Sequence, residues 1–166
     1  MCNYRKRSGK QCPEPALSSS KELYCLFHER VKNEEQMEEC MKEFRNRILH
    51  LNQNDFEGWV LGKINLSWET ISSDVDFSDS IFLEDVNFEN SKFKGSTSFN
   101  NATFQNMAQF RKAVFVNSVD FERSKFIGPA DFMWSSFLNA AFFRYAIFSD
   151  FVNFKNSTIE QSVLRD

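Results

Sequence analysis

Large apolar residues recur from Leu66 to Ile159 at steps that alternate five, six, five, six without a break. This eleven-residue repeat of two unequal halves restricts the possible folds more than any other feature. Most of the chain's 20 Phe residues lie in this repeat, so the Phe ring is expected to be its repeating core side chain. The predicted core ladder consists of Phe77, Phe82, Phe88, Phe93, Phe99, Phe104, Phe110, Phe115, Phe121, Phe126, Phe132, Phe137, Phe143, Phe148 and Phe154.

From Phe77 onward, the residue two positions before each centre is small or β-branched, as in Val75, Thr97 and Ala102. A period of two is the period of a β-strand, so each centre and its small partner face inward together. A helix would scatter the centres, because a step of five turns it by about 500°. One long strand is excluded too, because a step of five residues would place successive centres on opposite faces of the strand. The pattern therefore predicts short strands separated by corners, which is a solenoid.

The unequal steps also limit the size of the coil. Five-residue segments stack on five-residue segments, and six-residue segments on six-residue segments, only if each coil holds an even number of segments. This requirement excludes a three-sided coil. We predict a mainly β fold with four sides and about 22 residues per coil. The alternative is a thin two-sided coil of eleven residues.

The frame from Val75 to Ser157 resembles the pentapeptide-repeat proteins, and its Phe-centred alternation resembles their eleven-residue subgroup. The stretch from Val75 to Phe82, VDFSDSIF, shows this pattern. The resemblance implies a right-handed quadrilateral β-helix. The sequence departs from the commonest family pattern because Phe replaces Leu at the centre, and Val or Ser often replaces Ala before it.

Residues 1–30 are predicted to form a small zinc-binding head. Cys25 and His28 are separated by two residues, a spacing that lets both side chains reach one tetrahedral ion, and Cys2 and Cys12 complete a set of four. Three thiolates and an imidazole suit a structural zinc ion. The layout resembles zinc-binding heads that precede some pentapeptide-repeat regions. The alternatives are that these residues are unrelated, or that the cysteines serve redox chemistry.

Residues 31–65 are predicted to cap the solenoid, and residues 66–166 to form it. An apolar stripe at helical spacing runs through residues 29–51, with Cys40 packed beside it. A solenoid needs a cover over its open end, and the stripe with the apolar residues after it would supply one. A dimerising helix is the alternative. The stripe consists of Met37, Met41, Phe44, Ile48 and Leu51, and Phe56, Trp59, Leu61 and Ile64 follow it.

Towards the C-terminus, outward positions become apolar, and this predicts an interaction surface. Val116 and Leu138 are 22 residues apart and should be stacked neighbours. A second copy could pair with the C-terminal coils to form a homodimer, or the chain could be part of a longer protein. The predicted surface residues are Val116, Ile127, Met133, Trp134, Leu138, Phe142, Tyr145, Ile147 and Phe151.

The function predicted from these features is a non-catalytic protein-interaction scaffold whose partner is unknown. The net charge is −3, and residues 71–166 hold nine Lys or Arg against twelve Asp or Glu. This balance disfavours nucleic-acid binding, and a DNA-mimicking topoisomerase modulator is a weaker alternative.

No catalytic set can be assembled, so we expect no enzyme. The basic N-terminus lacks a secretion signal, and no membrane span is found, so we expect a cytoplasmic protein.

Overall fold

The computed structural model describes residues 1–20, 24–51 and 53–160. In these ranges, short strands form four parallel sheets that are the four sides of a coil, and the chain visits the sides in turn. Side 1 contains β1 (Val60–Leu61), β5 (Ile81–Phe82), β9 (Thr103–Phe104), β13 (Lys125–Phe126) and β17 (Ile147–Phe148). Side 2 contains β2 (Ile64–Asn65), β6 (Val86–Asn87), β10 (Ala108–Gln109), β14 (Ala130–Asp131) and β18 (Val152–Asn153). Side 3 contains β3 (Thr70–Ile71), β7 (Lys92–Phe93), β11 (Val114–Phe115), β15 (Ser136–Phe137) and β19 (Thr158–Ile159), and side 4 contains β4 (Val75–Asp76), β8 (Thr97–Ser98), β12 (Val119–Asp120) and β16 (Ala141–Phe142).

The register of the strands fixes the size of the coil. Val75 pairs with Thr97 and Thr97 pairs with Val119, so one coil takes 22 residues. The predicted four-sided coil is confirmed, and the two-sided alternative is wrong. About five coils are stacked, and their right-handed sense remains what the family resemblance implies.

The alternating steps arise from two kinds of corner. After sides 2 and 4, a tight turn closes with a hydrogen bond, as from Ser80 N–H to the Phe77 carbonyl at 3.2 Å. The third residue of each such turn has a left-handed backbone, and this gives the step of five. The corners after sides 1 and 3 are one residue longer. The left-handed residues are Gly58, Trp68, Asp79, Asn90, Asn101, Lys112, Arg123, Trp134, Tyr145 and Asn156.

The Phe rings stack along the coil axis in four columns. Phe99 and Phe121 lie 4.9 Å apart with rings within 4° of parallel, whereas Phe99 meets Phe110 of the next column edge to face. Both geometries are favourable for aromatic pairs. Every predicted ladder ring from Phe77 to Phe137 is buried. Phe143 and Phe148 are half-buried and Phe154 is exposed, because no described coil lies over them.

The first coil begins earlier than the repeat pattern indicates. Phe56 stacks on Phe77 at 5.3 Å, and β1 pairs with β5 at an offset of 21 residues. Leu61 is followed by Leu66 after five residues where the pattern requires six, so the regular frame breaks at this point. The parallel ladder therefore starts at Val60, ahead of the predicted repeat boundary at residue 66.

Helix α1 (Glu34–Asn46), followed by a π-helical turn at Arg47–Leu51, covers the first coil. It begins later than the predicted residue 29, because Asn33 and Gln36 form a capping box there. Phe44 packs against Phe56 at 4.9 Å. Leu51 is exposed, because the wider π turn breaks the helical spacing of the stripe.

The cap also satisfies backbone groups at the edge of the first coil. Lys32 Nζ donates to the Val60 carbonyl at 2.9 Å, and the Arg45 guanidinium donates to the Asn65 carbonyl at 2.8 Å. An uncovered edge would leave these groups as a template for association with another strand. None of the helices in the described ranges has the length and hydropathy of a transmembrane segment.

Candidate metal centre

The predicted head residues Cys2, Cys12, Cys25 and His28 converge on one point. All four are buried, and their ligand atoms lie within 4.8 Å of one another. Cys25 Sγ is 3.1 Å and Cys2 Sγ is 3.6 Å from His28 Nδ1, and Cys12 Sγ is 3.9 Å from Cys25 Sγ. A tetrahedral zinc ion with Zn–S bonds of about 2.3 Å and a Zn–N bond of about 2.0 Å would hold its ligand atoms at about 3.5–3.8 Å. The residues fit a zinc ion.

A hairpin explains the nine-residue gap between Cys2 and Cys12. Its two arms are joined by hydrogen bonds from Cys12 N–H to the Tyr4 carbonyl and from Cys2 N–H to the Glu14 carbonyl, both at 2.9 Å. The arms turn around Gly9, which has a φ of +80°. The two thiols therefore come from facing arms of one hairpin, and the sequence spacing alone did not reveal this arrangement.

Cys25 and His28 lie on a tight turn below the hairpin. The His28 and Glu29 amides both donate to the Cys25 carbonyl. The Cys25 amide donates to Cys2 Sγ at 3.2 Å. This turn brings the second pair of ligands against the first.

The other ring nitrogen of His28 connects the centre to the solenoid. His28 Nε2 lies 3.1 Å from the Glu57 carbonyl, so the N–H at this position can donate and leave Nδ1 free to bind metal. The Tyr4 ring stacks on the imidazole at 4.0 Å. A side chain at Gly58 would lie 2.2 Å from the Tyr4 ring, and Gly58 also has a φ of +72°. Glycine is therefore required where the head meets the first corner.

Burial sets the protonation states of the ligand residues. Desolvation lowers the pKa of His28 to about 4, so its imidazole is neutral and able to coordinate at neutral pH. Desolvation raises the pKa of the Cys12 and Cys25 thiols. A bound cation would reverse this effect, because it stabilises thiolates.

A metal held by all four residues would have no open coordination position, so its contribution would be structural. The contacts of the head with the first coil show what it would stabilise. Phe27 stacks on Trp59 at 4.0 Å, and its carbonyl accepts a hydrogen bond from Val60 N–H at 2.8 Å. Arg7 donates to both Asp79 carboxylate oxygens and to Asn100. The head is thus attached to the first two coils.

The remaining cysteine and histidine lie elsewhere. Cys40 is packed in α1 as predicted, its thiol 3.8 Å from the Val60 carbonyl, and burial raises its pKa to about 11. His50 is exposed.

The recurrent carboxylates have a local structural role. Asp76, Asp120 and Asp131 each accept a hydrogen bond from the amide two residues later, which stabilises the following corner.

The predicted interaction residues encircle the C-terminal coils. Ile147 lies on side 1, and Ile127 lies on the corner that follows side 1. Trp134 lies on the corner after side 2, and Phe142 lies on side 4. The Leu138 amide donates to the Phe115 carbonyl and β11 pairs with β15, so Leu138 stacks on Val116 as predicted. Except for the half-buried Val116 and Met133, these side chains are exposed.

Sequence reasoning missed one exposed aromatic residue, Trp68, which is 76% exposed in the first coil. It lies on the same corner column as Trp134, three coils earlier, and both have a left-handed backbone. The available signal was its position two residues after the centre Leu66, which matches the position of Trp134 after Phe132.

A family model described as pentapeptide repeats (9 copies) matches residues 88–133. Comparisons with curated proteins and with solved structures found no match. The matched residues lie inside the four-sided solenoid, and the same repeat continues on both sides of them. Residues 88–133 therefore form a pentapeptide-repeat region within the solenoid.

Proposed function

We propose that this protein is a non-catalytic scaffold that binds a protein partner through its C-terminal coils and is closed at the other end by a zinc-stabilised head. The observation that carries the proposal is the exposure of bulky aromatic side chains at corners with a left-handed backbone. Trp134 (φ 63°) is 50% exposed, and Tyr145 (φ 59°) is 70% exposed.

Left-handed backbone is unfavourable for a bulky L-residue by roughly 1–2 kcal/mol, whereas Asn tolerates it better. Asn90, Asn101 and Asn156 occupy equivalent corners. A large aromatic ring that stays in water gains little from burial to offset this cost. Tyr and Trp are also enriched in protein interfaces, so these corners favour a binding role.

The zinc part of the proposal rests on the donor set and its burial. Three sulfur atoms and an imidazole nitrogen suit zinc better than calcium or magnesium, which prefer oxygen. Metal analysis of the purified protein tests this assignment. We expect close to one zinc per chain, and a content below about half an equivalent would contradict it.

The binding role is tested with charged substitutions at the C-terminal corners. We expect Trp134→Glu with Leu138→Lys to abolish capture of partner proteins, or self-association measured by sedimentation. Trp68→Glu is the matched comparison, because Trp68 has the same corner position in the first coil, and unchanged association in this variant would restrict the binding surface to the C-terminal coils. Unchanged association in the double variant, with the fold intact by circular dichroism, would contradict the proposal.

DNA mimicry is less well supported by the surface charge. It requires a continuous acidic face, but Lys92 on side 3 and Lys125 on side 1 are both exposed. Arg111, Lys112 and Lys155 interrupt the corner between sides 2 and 3. A supercoiling assay with a topoisomerase is expected to show no effect of the protein.

A further inference from the structure

Side 3 of the solenoid, together with the corner before it, differs in charge from side 4. The side-3 strands of the described ranges contain no acidic residue, whereas two side-4 strands end in Asp76 and Asp120. Residues 89–94 and 111–116 form this face in two adjacent coils. They hold four cations and one carboxylate, which gives a local charge of +3, although the net charge of the chain is −3. These charged residues are Glu89, Lys92, Lys94, Arg111 and Lys112.

Three of the four cations have no counter-charge. The Glu89 carboxylate accepts a hydrogen bond from the Gln109 side chain at 3.0 Å and lies 4.0 Å from Arg111 Nε, so it is already engaged. The other three cations are exposed, and within the part of the chain that the structure describes none of them forms an ion pair. Like charges close together repel one another and attract an anionic ligand. This lysine cluster consists of Lys92, Lys94 and Lys112.

The lysine cluster borders two half-buried valines, Val114 and Val116, which form a valine pair on side 3. Lys92 pairs with Val114 in the neighbouring strand. Lys94 and Val116 have equivalent positions one coil apart, because the amide of each donates to the ladder residue of the coil before it. One coil is about 4.8 Å. Lys112 lies two residues before Val114 in the chain, a distance of at most about 6.8 Å.

The valine pair also adjoins the C-terminal surface. The Leu138 amide donates to the Phe115 carbonyl, as the Val116 amide does to the Phe93 carbonyl, so the exposed Leu138 stacks on Val116. Apolar side chains and unpaired cations therefore lie side by side. A ligand that matches both must be apolar at one point and anionic next to it.

We propose that an acidic segment of a partner protein binds here, with one apolar side chain on the valine pair and acidic side chains next to it against the lysine cluster. Alternate residues of an extended segment face the same way and lie about 6.6–6.8 Å apart. This spacing suits the separations of about 4.8–6.8 Å between each lysine and its nearest valine. An acidic residue therefore lies two positions from the apolar one. The inference rests on the proposed role as a protein-binding scaffold and adds the chemistry of the partner.

The valine pair favours a protein segment over a nucleic acid. A single-stranded nucleic acid gains affinity when its bases stack on aromatic rings. The residues among the lysines are aliphatic, and aliphatic surface gains most when an apolar protein side chain covers it. An oligonucleotide is therefore expected to bind more weakly than an acidic peptide that carries an apolar residue.

The test is fluorescence anisotropy with a labelled peptide that has a central phenylalanine and glutamates two and four positions away on both sides, so that either chain direction can pair. We expect saturable binding to the full-length protein that weakens with added salt. Lys92→Thr combined with Lys112→Asn should weaken binding by about tenfold, because two exposed ion pairs are lost. The fold should survive, since the chain places the new residue types at equivalent positions, at Thr70, Thr158, Asn90 and Asn156.

The matched control is Lys125→Thr combined with Arg123→Asn. Lys125 precedes a ladder Phe on side 1 as Lys92 does on side 3, and Arg123 has the same left-handed corner backbone as Lys112. The control removes the same two charges from the opposite side of the coil and should bind the peptide like the wild type. An equal loss in the control would overturn the proposal, because the overall charge of the protein would then account for binding.

Other results would also overturn the proposal. They are equal binding by the Lys92 and Lys112 double variant and the wild type, and no saturable binding to the wild type. Equal binding of a peptide with glutamine for glutamate, or with alanine for phenylalanine, would exclude the paired chemistry. Equally tight binding of a single-stranded oligothymidine would assign the lysine cluster to nucleic acid and remove the protein segment.

The peptide assay and partner capture together separate this inference from the proposed function. Failure of the peptide, with capture still lost in the Trp134→Glu and Leu138→Lys variant, would remove the acidic segment alone. Peptide binding that depends on the lysine cluster, with capture unchanged in that variant, would remove the proposed C-terminal surface alone.

Discussion

The first and last described coils both place large apolar residues at their ladder positions, but the environments of these residues differ. Phe56 in the first coil is fully buried, because Phe44 of α1 lies on it and the head contacts the adjoining corner. Phe148 in the last coil stacks on Phe126 at 4.8 Å and is only half-buried. Burial of a ladder ring therefore depends on what covers its coil as well as on its place in the repeat.

The two regions also obtain their stability in different ways. The solenoid repeats one hydrogen-bond pattern and one ring contact, so each coil stabilises its neighbours. The head has little regular structure, and its four buried ligand residues come from a hairpin and a tight turn. A metal ion would supply folding free energy that so small a segment cannot obtain from apolar burial.

Removing the metal should have the largest effect and should act on the N-terminal region alone. A strong chelator is expected to unfold the head, because structural zinc contributes about 10–16 kcal/mol in small zinc domains. Hydrogen exchange should then speed up at the Val60 amide, which donates to Phe27, while the Val119 amide in the mid-solenoid stays protected.

Cys25→Ser should reproduce the effect of the chelator. Cys40→Ser should not, because Cys40 is buried in α1 outside the cluster. Equal exchange at Val60 with and without chelator would show that the head folds without metal.

Truncating one ring in each region should give the next largest effect. Phe99→Ala is expected to lower the free energy of unfolding by about 3–5 kcal/mol, because it leaves a cavity between two stacked coils. Phe148→Ala should cost less than half as much, because its ring is only half-buried and packs against one neighbouring coil. Urea denaturation measures both values. Equal losses would mean that the last coil is covered in solution.

Breaking the contact between Arg7 and Asp79 should have the smallest effect. Both side chains are partly exposed, so Arg7→Gln is expected to cost about 1 kcal/mol or less. Arg123→Gln is the control, since Arg123 is exposed at the corner two coils after Asp79. Thermal unfolding at neutral pH measures the difference.

The effect of Arg7→Gln should depend on pH. Burial raises the pKa of Asp79, but the hydrogen bonds from Arg7 and Asn101 outweigh this and hold it below the usual aspartate value. A lowered folded-state pKa stabilises the protein above the unfolded-state pKa, and the gain is lost as pH falls through the folded-state value. The difference between wild type and Arg7→Gln should therefore shrink in acid to the contribution of the Arg7–Asn100 hydrogen bonds, which do not titrate. A difference of unchanged size in acid would show that the Asp79 carboxylate contributes nothing to the role of Arg7.

The step pattern predicted the four-sided coil and the ring ladder because both are periodic and local. Each centre and its small partner lie two residues apart on one strand. Because the steps alternate between five and six residues, only coils with an even number of segments could stack in register. The pattern could not include Phe56, because one missing residue between Leu61 and Leu66 shifts the frame. The offset of 21 residues in the first coil became visible only from the strand pairing.

The sequence alone determined which residue types could bind a metal and which side chains form the core, since these follow from chemistry and from spacing along one strand. Only the tertiary structure decided that the hairpin brings Cys2 and Cys12 together and that the apolar C-terminal residues encircle the coil. These relations join segments far apart in the chain. Side-chain periodicity encodes the lengths of the corners, but it does not encode the hairpin or the left-handed backbone of the corners.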